Sequence, residues 1–94
     1  MEQEGAQPMI RWQSNDCREV TPPADWKSWV AIVTEALGPD VVGARVTFTS
    51  NEADGWSVRV TKHDGERELD ERVTAPLTAK VKAALLKAKK PVVG

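Results

Sequence analysis

Apolar and polar residues alternate through the middle of the chain, residues 41–73, in a pattern typical of consecutive β-strands. A period of two places every second side chain on the same face of a half-buried strand. The apolar positions are Val42, Ala44, Val46 and Phe48, followed after a polar loop by Trp56, Val58 and Val60. The pattern therefore predicts two strands, and Asp64-Gly65 predicts a tight turn into a third because both residue types tolerate a positive φ.

The third of these strands, predicted over residues 66–73, is the most polar. Its sequence, ERELDERV, is mainly charged, which indicates an edge strand whose charges discourage pairing with other chains. Glu66, Glu68 and Asp70 would share one face of it, and a hard cation would accept such oxygen ligands. The glycine-turned loop of a dedicated calcium site does not accompany them, so we interpret the carboxylates as a feature of the edge.

A further short strand is predicted near the start of the chain, over residues 9–14. Ile10 and Trp12 fall on one side of it, and Arg11 and Gln13 fall on the other. The same period of two therefore gives this strand one apolar and one polar face.

An amphipathic helix is predicted next, over residues 23–37. Thr21-Pro22-Pro23 supplies its start, because a threonine oxygen can accept a free backbone N–H and proline suits the first turn. Gly38 and Pro39 end it. Its apolar stripe consists of Trp26, Trp29, Val30, Val33 and Leu37. Since a stripe of this width faces a core, we expect both tryptophans to be buried, with Ile32 half exposed at its edge.

A second helix is predicted over residues 77–90, after the start signal Thr74-Ala75-Pro76. Its apolar stripe consists of Leu77, Val81, Ala84, Leu85 and Ala88, with Leu86 pointing away. Lysines flank the stripe, with Lys80, Lys87 and Lys90 on one side and Lys82 and Lys89 on the other. They form either a solvated face that complements the helix dipole or a ridge that contacts phosphates.

The predicted elements follow the order strand, helix, three strands, helix. This order predicts an α+β fold, β-α-β-β-β-α, with a four-stranded antiparallel-rich sheet and two helices packed on one face. We expect one domain over residues 9–90, since a chain of this length supports a single core. A disordered polar tail, residues 1–8, and a C-terminal tail, residues 91–94, would flank it.

Composition narrows the cellular setting. Of the 94 residues 40% are apolar, and no apolar run approaches the roughly 18 residues of a membrane span. The acidic start MEQEGAQP has no basic region of a secretory signal, so we expect a cytoplasmic location and no membrane partner. The net charge is only −1, but residues 76–94 carry five lysines and no acidic residue. Any basic surface should therefore involve the last helix.

The sequence shows no catalytic constellation. Cys17 and the single histidine, His63, could act as nucleophile and base only if the fold joined them, and there is no glycine loop to cradle a phosphate. We therefore expect a binding protein rather than an enzyme, with no cofactor or metal. The outward face of the sheet would carry Arg45, Thr47, Thr49, Ser57, Arg59 and Thr61. It lacks the exposed rings on which single-stranded RNA stacks, so we expect a solvated face.

The element order resembles the ribosome hibernation factor family. Glu19-Val20-Thr21-Pro22 stands where that family opens its first helix, and the Asp64-Gly65 hairpin and the lysine-ended last helix are also similar. The resemblance implies a bacterial translation-modulating factor that binds the small ribosomal subunit. The positions that match the family's ribosomal RNA contacts are Lys27, Lys80, Lys82, Lys87, Lys89 and Lys90. The first helix departs from the family pattern because Lys27 is its only lysine.

Two other functions fit the sequence. A small protein-interaction module, such as an inhibitor, immunity protein or adaptor, would use Ile32 and Leu86 as partner contacts, and tryptophan-rich surfaces are common at such interfaces. A double-stranded RNA binding domain has the same element order after residue 21. Such domains place lysines at the start of the last helix, however, whereas here they lie mainly at its end.

Overall fold

The computed structural model describes residues 8–51 and 55–93 and has the predicted α+β fold. The predicted tail up to residue 7 and positions 52–54 of the first loop lie outside the described residues. The elements are β1 (Met9–Gln13), α1 (Trp26–Leu37), a short 3-10 helix (Gly38–Val41), β2 (Ala44–Asn51), β3 (Gly55–Asp64), β4 (Arg67–Glu68) and α2 (Glu71–Lys87).

The four strands form one mixed sheet in the order β1-β2-β3-β4. β1 runs parallel to β2, with Trp12 beside Phe48, because α1 returns the chain to the end of the sheet from which β1 starts. β2 and β3 form an antiparallel hairpin in which Val46 lies opposite Val60. β4 adds only two residues to the outer side of β3.

Both helices pack on one face of the sheet. The buried core residues on the helices are Trp29, Val33 and Leu37 of α1 and Leu77, Val81 and Leu85 of α2. They pack on the apolar side chains of β2 and β3 that the alternation predicted. Trp12 stacks on Phe48 with ring centroids 4.4 Å apart, and Trp29 and Trp56 meet Trp12 edge-on at 5.6 Å and 5.2 Å. Three of the four tryptophans therefore form one aromatic cluster.

The fourth tryptophan corrects the expected stripe of α1. Trp26 is 39% exposed, although its spacing from Trp29 fits a core position. The buried arc is rotated toward Ile32 and Ala36, which pack partly against the core, because α2 lies on that side of α1. Trp26 and Val30 consequently lie on the outer flank of the helix.

The predicted strand over residues 66–73 is the second correction. Only Arg67–Glu68 pairs with β3, and α2 begins at Glu71 rather than at position 77. Asp70 caps the helix, since its carboxylate accepts a hydrogen bond from the Arg72 N–H at 2.8 Å. Glu66, Glu68 and Asp70 therefore do not share a strand face.

Three different groups cover the outer edge of β3. β4 and the Leu69 N–H, which donates to the Lys62 carbonyl at 2.8 Å, cover one end. Thr78 of α2 bonds to Val60 in the middle. At the other end, residues 91–93 pair with Trp56 in parallel, and Val92 is buried. Part of the expected C-terminal tail is thus packed against the sheet.

Candidate binding surface on the helix layer

A groove of about 570 Å³ runs between α1 and α2 on the outer side of the helix layer. It is lined by Ala31, Ile32, Glu35, Ala36, Gly38, Lys80, Ala84, Lys87 and Ala88. Four of these nine residues are alanine, so small side chains form much of its walls. Lys80 and Lys87 stand one above the other on α2, since residues seven apart fall on the same side of a helix. Glu35 is the acidic residue that lines the groove.

A second depression, of about 630 Å³, lies on the exposed flank of α1. Trp26 and Lys27 line it, with the Lys27 ammonium 5.7 Å from the centre of the Trp26 ring, a distance typical of a cation–π contact. Ala31 and Glu35 line both depressions, so the two form one continuous surface. We call this surface, with Trp26, Lys27, Ile32, Glu35, Lys80 and Lys87, the helix face.

Lys90 has a structural partner instead. Its ammonium lies 2.6 Å from the Asp25 carboxylate, and its side chain is only 17% exposed. Asp25 also accepts a hydrogen bond from the Trp29 indole N–H at 3.1 Å. The hydrogen bond from Lys90 is the main reason that the pKa of the Asp25 carboxyl lies below its ordinary value. Lys90 therefore joins the end of the α2 segment to the start of α1.

The remaining predicted contact residues lie elsewhere. Lys82 is half-buried on α2, and Lys89 is exposed just after the helix, with φ 63°. Leu86 is 48% exposed. None of the three lines either depression of the helix face. Of the eight predicted contact residues, Ile32, Lys80 and Lys87 line the groove, and Lys27 lines the adjoining depression.

The structure separates Cys17 from His63. Cys17 is exposed just after β1 ends at Gln13. The backbone N–H of His63 donates to the Gly43 carbonyl, just before β2 begins, and therefore lies at the opposite end of these two parallel strands. The His63 Nε2 atom lies 3.6 Å from Glu68, and its Nδ1 atom is buried with no hydrogen-bond partner in the described part of the chain. The fold therefore does not assemble the nucleophile and base pair considered from the sequence.

Arg11 lies on the sheet face opposite the helices, beside the polar residues of β2 and β3, and the strand pattern alone did not predict this neighbourhood. The pairing register sets Arg11 of β1 beside Thr47 of β2, and Thr47 beside Arg59 of β3. The alternation in residues 9–14 already put Arg11 on the polar side of its strand. The missing information was the parallel pairing of β1 with β2, which depends on how α1 packs.

Metal sites, membrane spans and known relatives give no further assignment. Among residues 8–51 and 55–93, no three histidine, cysteine, aspartate or glutamate side chains are close enough to hold a metal ion. Neither α1 nor α2, the helices that the described ranges contain, is long and apolar enough to cross a bilayer. Comparisons with protein-family models, curated proteins and solved structures find no match.

Proposed function

We propose that the protein is a non-catalytic, ribosome-associated RNA-binding factor that docks through the helix face. The observation that supports this proposal is that Lys27 of α1 lines one depression of the helix face and that Lys80 and Lys87 of α2 line the adjoining one. Lysine ammonium groups bind phosphates as point charges. This set is smaller than the six lysines that the resemblance implies, because Lys90 is paired with Asp25 and Lys82 and Lys89 lie elsewhere.

The number of phosphate contacts sets the expected salt dependence of binding. Each neutralised phosphate contributes about −0.7 to −0.9 to the slope of log affinity against log salt. Three lysines therefore predict a slope of about −2 to −3, and a ridge of six would give a slope about twice as steep. Glu35 lies within the surface and repels phosphate, so Glu35→Gln should strengthen binding.

Co-sedimentation with small ribosomal subunits over a salt series tests the proposal. The wild-type protein should bind at low salt with the shallow slope, and a Lys80→Glu, Lys87→Glu double variant should not bind. A Lys82→Glu, Lys89→Glu double variant is the matched control, because it makes the same charge change at two positions that line neither depression of the helix face. No binding at low salt, or an equal loss in the control, would contradict the proposal.

A protein partner is the second candidate, and the apolar walls of the groove favour it. A groove between two helices that is walled by alanine and Ile32 suits the apolar face of a partner helix, and Lys80 and Lys87 would pair with acidic residues beside that face. Such a complex should tolerate high salt. Ala31→Gln would fill the groove without changing its charge, so it should abolish protein binding and leave a phosphate-driven complex nearly unchanged.

A further inference from the structure

Three arginines, one from each of three adjacent strands, form a triangle on the sheet face opposite the helices. Arg11 and Arg59 lie on either side of Thr47 in one row, and Arg45 lies two residues before Thr47 on β2. Strand spacing places Arg11 and Arg59 about 10 Å apart and Arg45 about 8 Å from each. All three side chains are exposed, so the guanidinium groups can reach a shared ligand.

The charges on this face are largely unopposed. Arg45 and Arg59 form no ion pair with any described residue, and Arg11 makes one long hydrogen bond, 3.4 Å, to the Cys17 carbonyl. Two shallow depressions, each of about 340 Å³, lie between these side chains. Glu68 is the only carboxylate that lines them in the part of the chain that the structure describes. Among the described residues that line the two depressions, three arginines therefore face one carboxylate.

The remaining side chains of the face are hydrogen-bonding groups. They include Gln13, Thr47, Thr49, Ser57 and Thr61, and the Gln13 amide donates to the Thr49 hydroxyl at 3.3 Å. Exposed Met9, beside Arg45, is an apolar exception. Hydroxyl and amide groups of this kind donate to phosphate oxygens. Among the described residues no tryptophan or phenylalanine ring lies on this face, since Trp12, Phe48 and Trp56 all belong to the cluster on the helix side. The His63 imidazole lines one of the depressions, but its side chain is only 15% exposed.

We propose that this arginine face binds the phosphodiester backbone of an RNA duplex. A guanidinium group is a rigid fork that matches a phosphate with two parallel hydrogen bonds, and a triangle of such groups suits a polymer of phosphates. Single-stranded RNA is bound largely by stacking its bases on exposed aromatic rings, and the described residues of this face offer none, whereas duplex RNA is recognised through its backbone and shape. The arginine face is on the opposite side of the sheet from the helix face, so the proposal does not depend on the proposed function.

Fluorescence anisotropy with a labelled RNA duplex of about 16 base pairs, over a salt series, tests the proposal. Arg11→Gln, Arg45→Gln and Arg59→Gln should each weaken binding about tenfold, as expected for loss of a charge-assisted hydrogen bond, and each should make the salt slope shallower by about 0.9. Glu68→Gln should strengthen binding. Arg72→Gln, which removes an exposed arginine of α2, is the matched control and should bind like wild type.

Three results would overturn the proposal. The first is a triple arginine variant, shown by circular dichroism to be folded, that binds the duplex as tightly as the wild type. The second is a wild-type preference for poly-glutamate or for single-stranded RNA over the duplex. The third is loss of duplex binding in a Lys80→Gln, Lys87→Gln variant but not in the arginine variants, which would assign the RNA contact to the helix face alone.

Discussion

Asp25 makes long-range contacts with its side chain at a position where sequence rules predict a local helix cap. It precedes α1 as the N-cap residue, yet its carboxylate accepts no hydrogen bond from the backbone of the first turn. It accepts instead from Lys90, 65 residues away, and from Trp29. The side chain thereby joins the end of the α2 segment, the start of α1 and the aromatic cluster.

Asp25→Asn should lower stability in a way that depends on pH. The folded-state pKa of Asp25 lies below its ordinary value of 3.8, chiefly because of the hydrogen bond from Lys90. A depressed pKa gives stability that is present above the unfolded-state pKa and is lost as the pH falls through the folded-state value. The melting temperatures of wild type and Asp25→Asn should therefore differ at pH 7, and the difference should shrink progressively as the pH falls below about 4.

A double-mutant cycle provides the control for this prediction. In a Lys90→Gln background, Asp25→Asn should lose most of its pH-dependent effect, because the cycle isolates the interaction between the two side chains. A difference between wild type and Asp25→Asn that grows on acidification would show that the sign of the linkage is wrong.

Thr78 connects two elements through a single hydroxyl group. Its Oγ1 atom accepts a hydrogen bond from the Val60 N–H at 3.0 Å, and Val60 is 1% exposed. β4 ends too early to pair with this part of β3. A helix side chain therefore satisfies a buried strand donor that would otherwise need another strand.

Thr78→Val should destabilise the fold by about 1–3 kcal/mol, since it leaves a buried N–H without a partner. Thr34→Val is the matched control. The Thr34 hydroxyl donates at 2.8 Å to the Val30 carbonyl within α1, so its loss orphans no buried donor and should change stability by about 0.5 kcal/mol or less. Chemical denaturation measures both values, and equal losses would argue against a special role for Thr78.

The boundaries of α2 and β4 could not be predicted from local sequence signals, although much of the fold could. Periodicity predicted the element order, the α2 stripe and the core side of β2 and β3. It could do so because an element that packs on one face must repeat its apolar residues at a fixed spacing. Two helix starts competed, however, at Asp70 and at Thr74. The first formed, with the Asp70 carboxylate as its cap, so Thr74 is buried and Pro76 lies inside the helix.

The candidate sites show the same division between local and long-range information. Lysine positions along α2 predicted which side chains could share a face, so Lys80 and Lys87 were identifiable from spacing alone. Their approach to Lys27 and Ile32 depends on how the two helices cross. The pairing of Lys90 with Asp25 spans 65 residues, and no periodic pattern indicates it.

At the scale of the whole molecule, the last described residues close the fold. The backbone N–H of Trp56 donates to the Pro91 carbonyl, and the backbone N–H of Val93 donates to the Trp56 carbonyl, both at 2.8 Å. Gly55 permits this contact, because it has φ 122° and a β-carbon there would collide with the Pro91 carbonyl oxygen. The start of β3 and residues 91–93 are therefore fitted to each other.

Gly55→Ala should cost about 2–4 kcal/mol, since it combines backbone strain with a collision. Gly65→Ala separates the two causes, because Gly65 also has a positive φ of 65° but has nothing within 4 Å of the added methyl group. That control should cost about 1–2 kcal/mol. Thermal melts of the two variants measure the difference, and equal losses would mean that the chain end yields without cost.

The placement of the tryptophans gives the molecule a built-in optical label. Trp12, Trp29 and Trp56 lie in the aromatic cluster with Phe48, where their emission would report the integrity of the fold. Trp26 is the one exposed tryptophan, at 39%, and lies beside Lys27 on the helix face. A collisional quencher such as iodide would therefore reach Trp26 first. A ligand that covers the helix face would shield this one indole, whereas a ligand on the arginine face would leave its quenching unchanged.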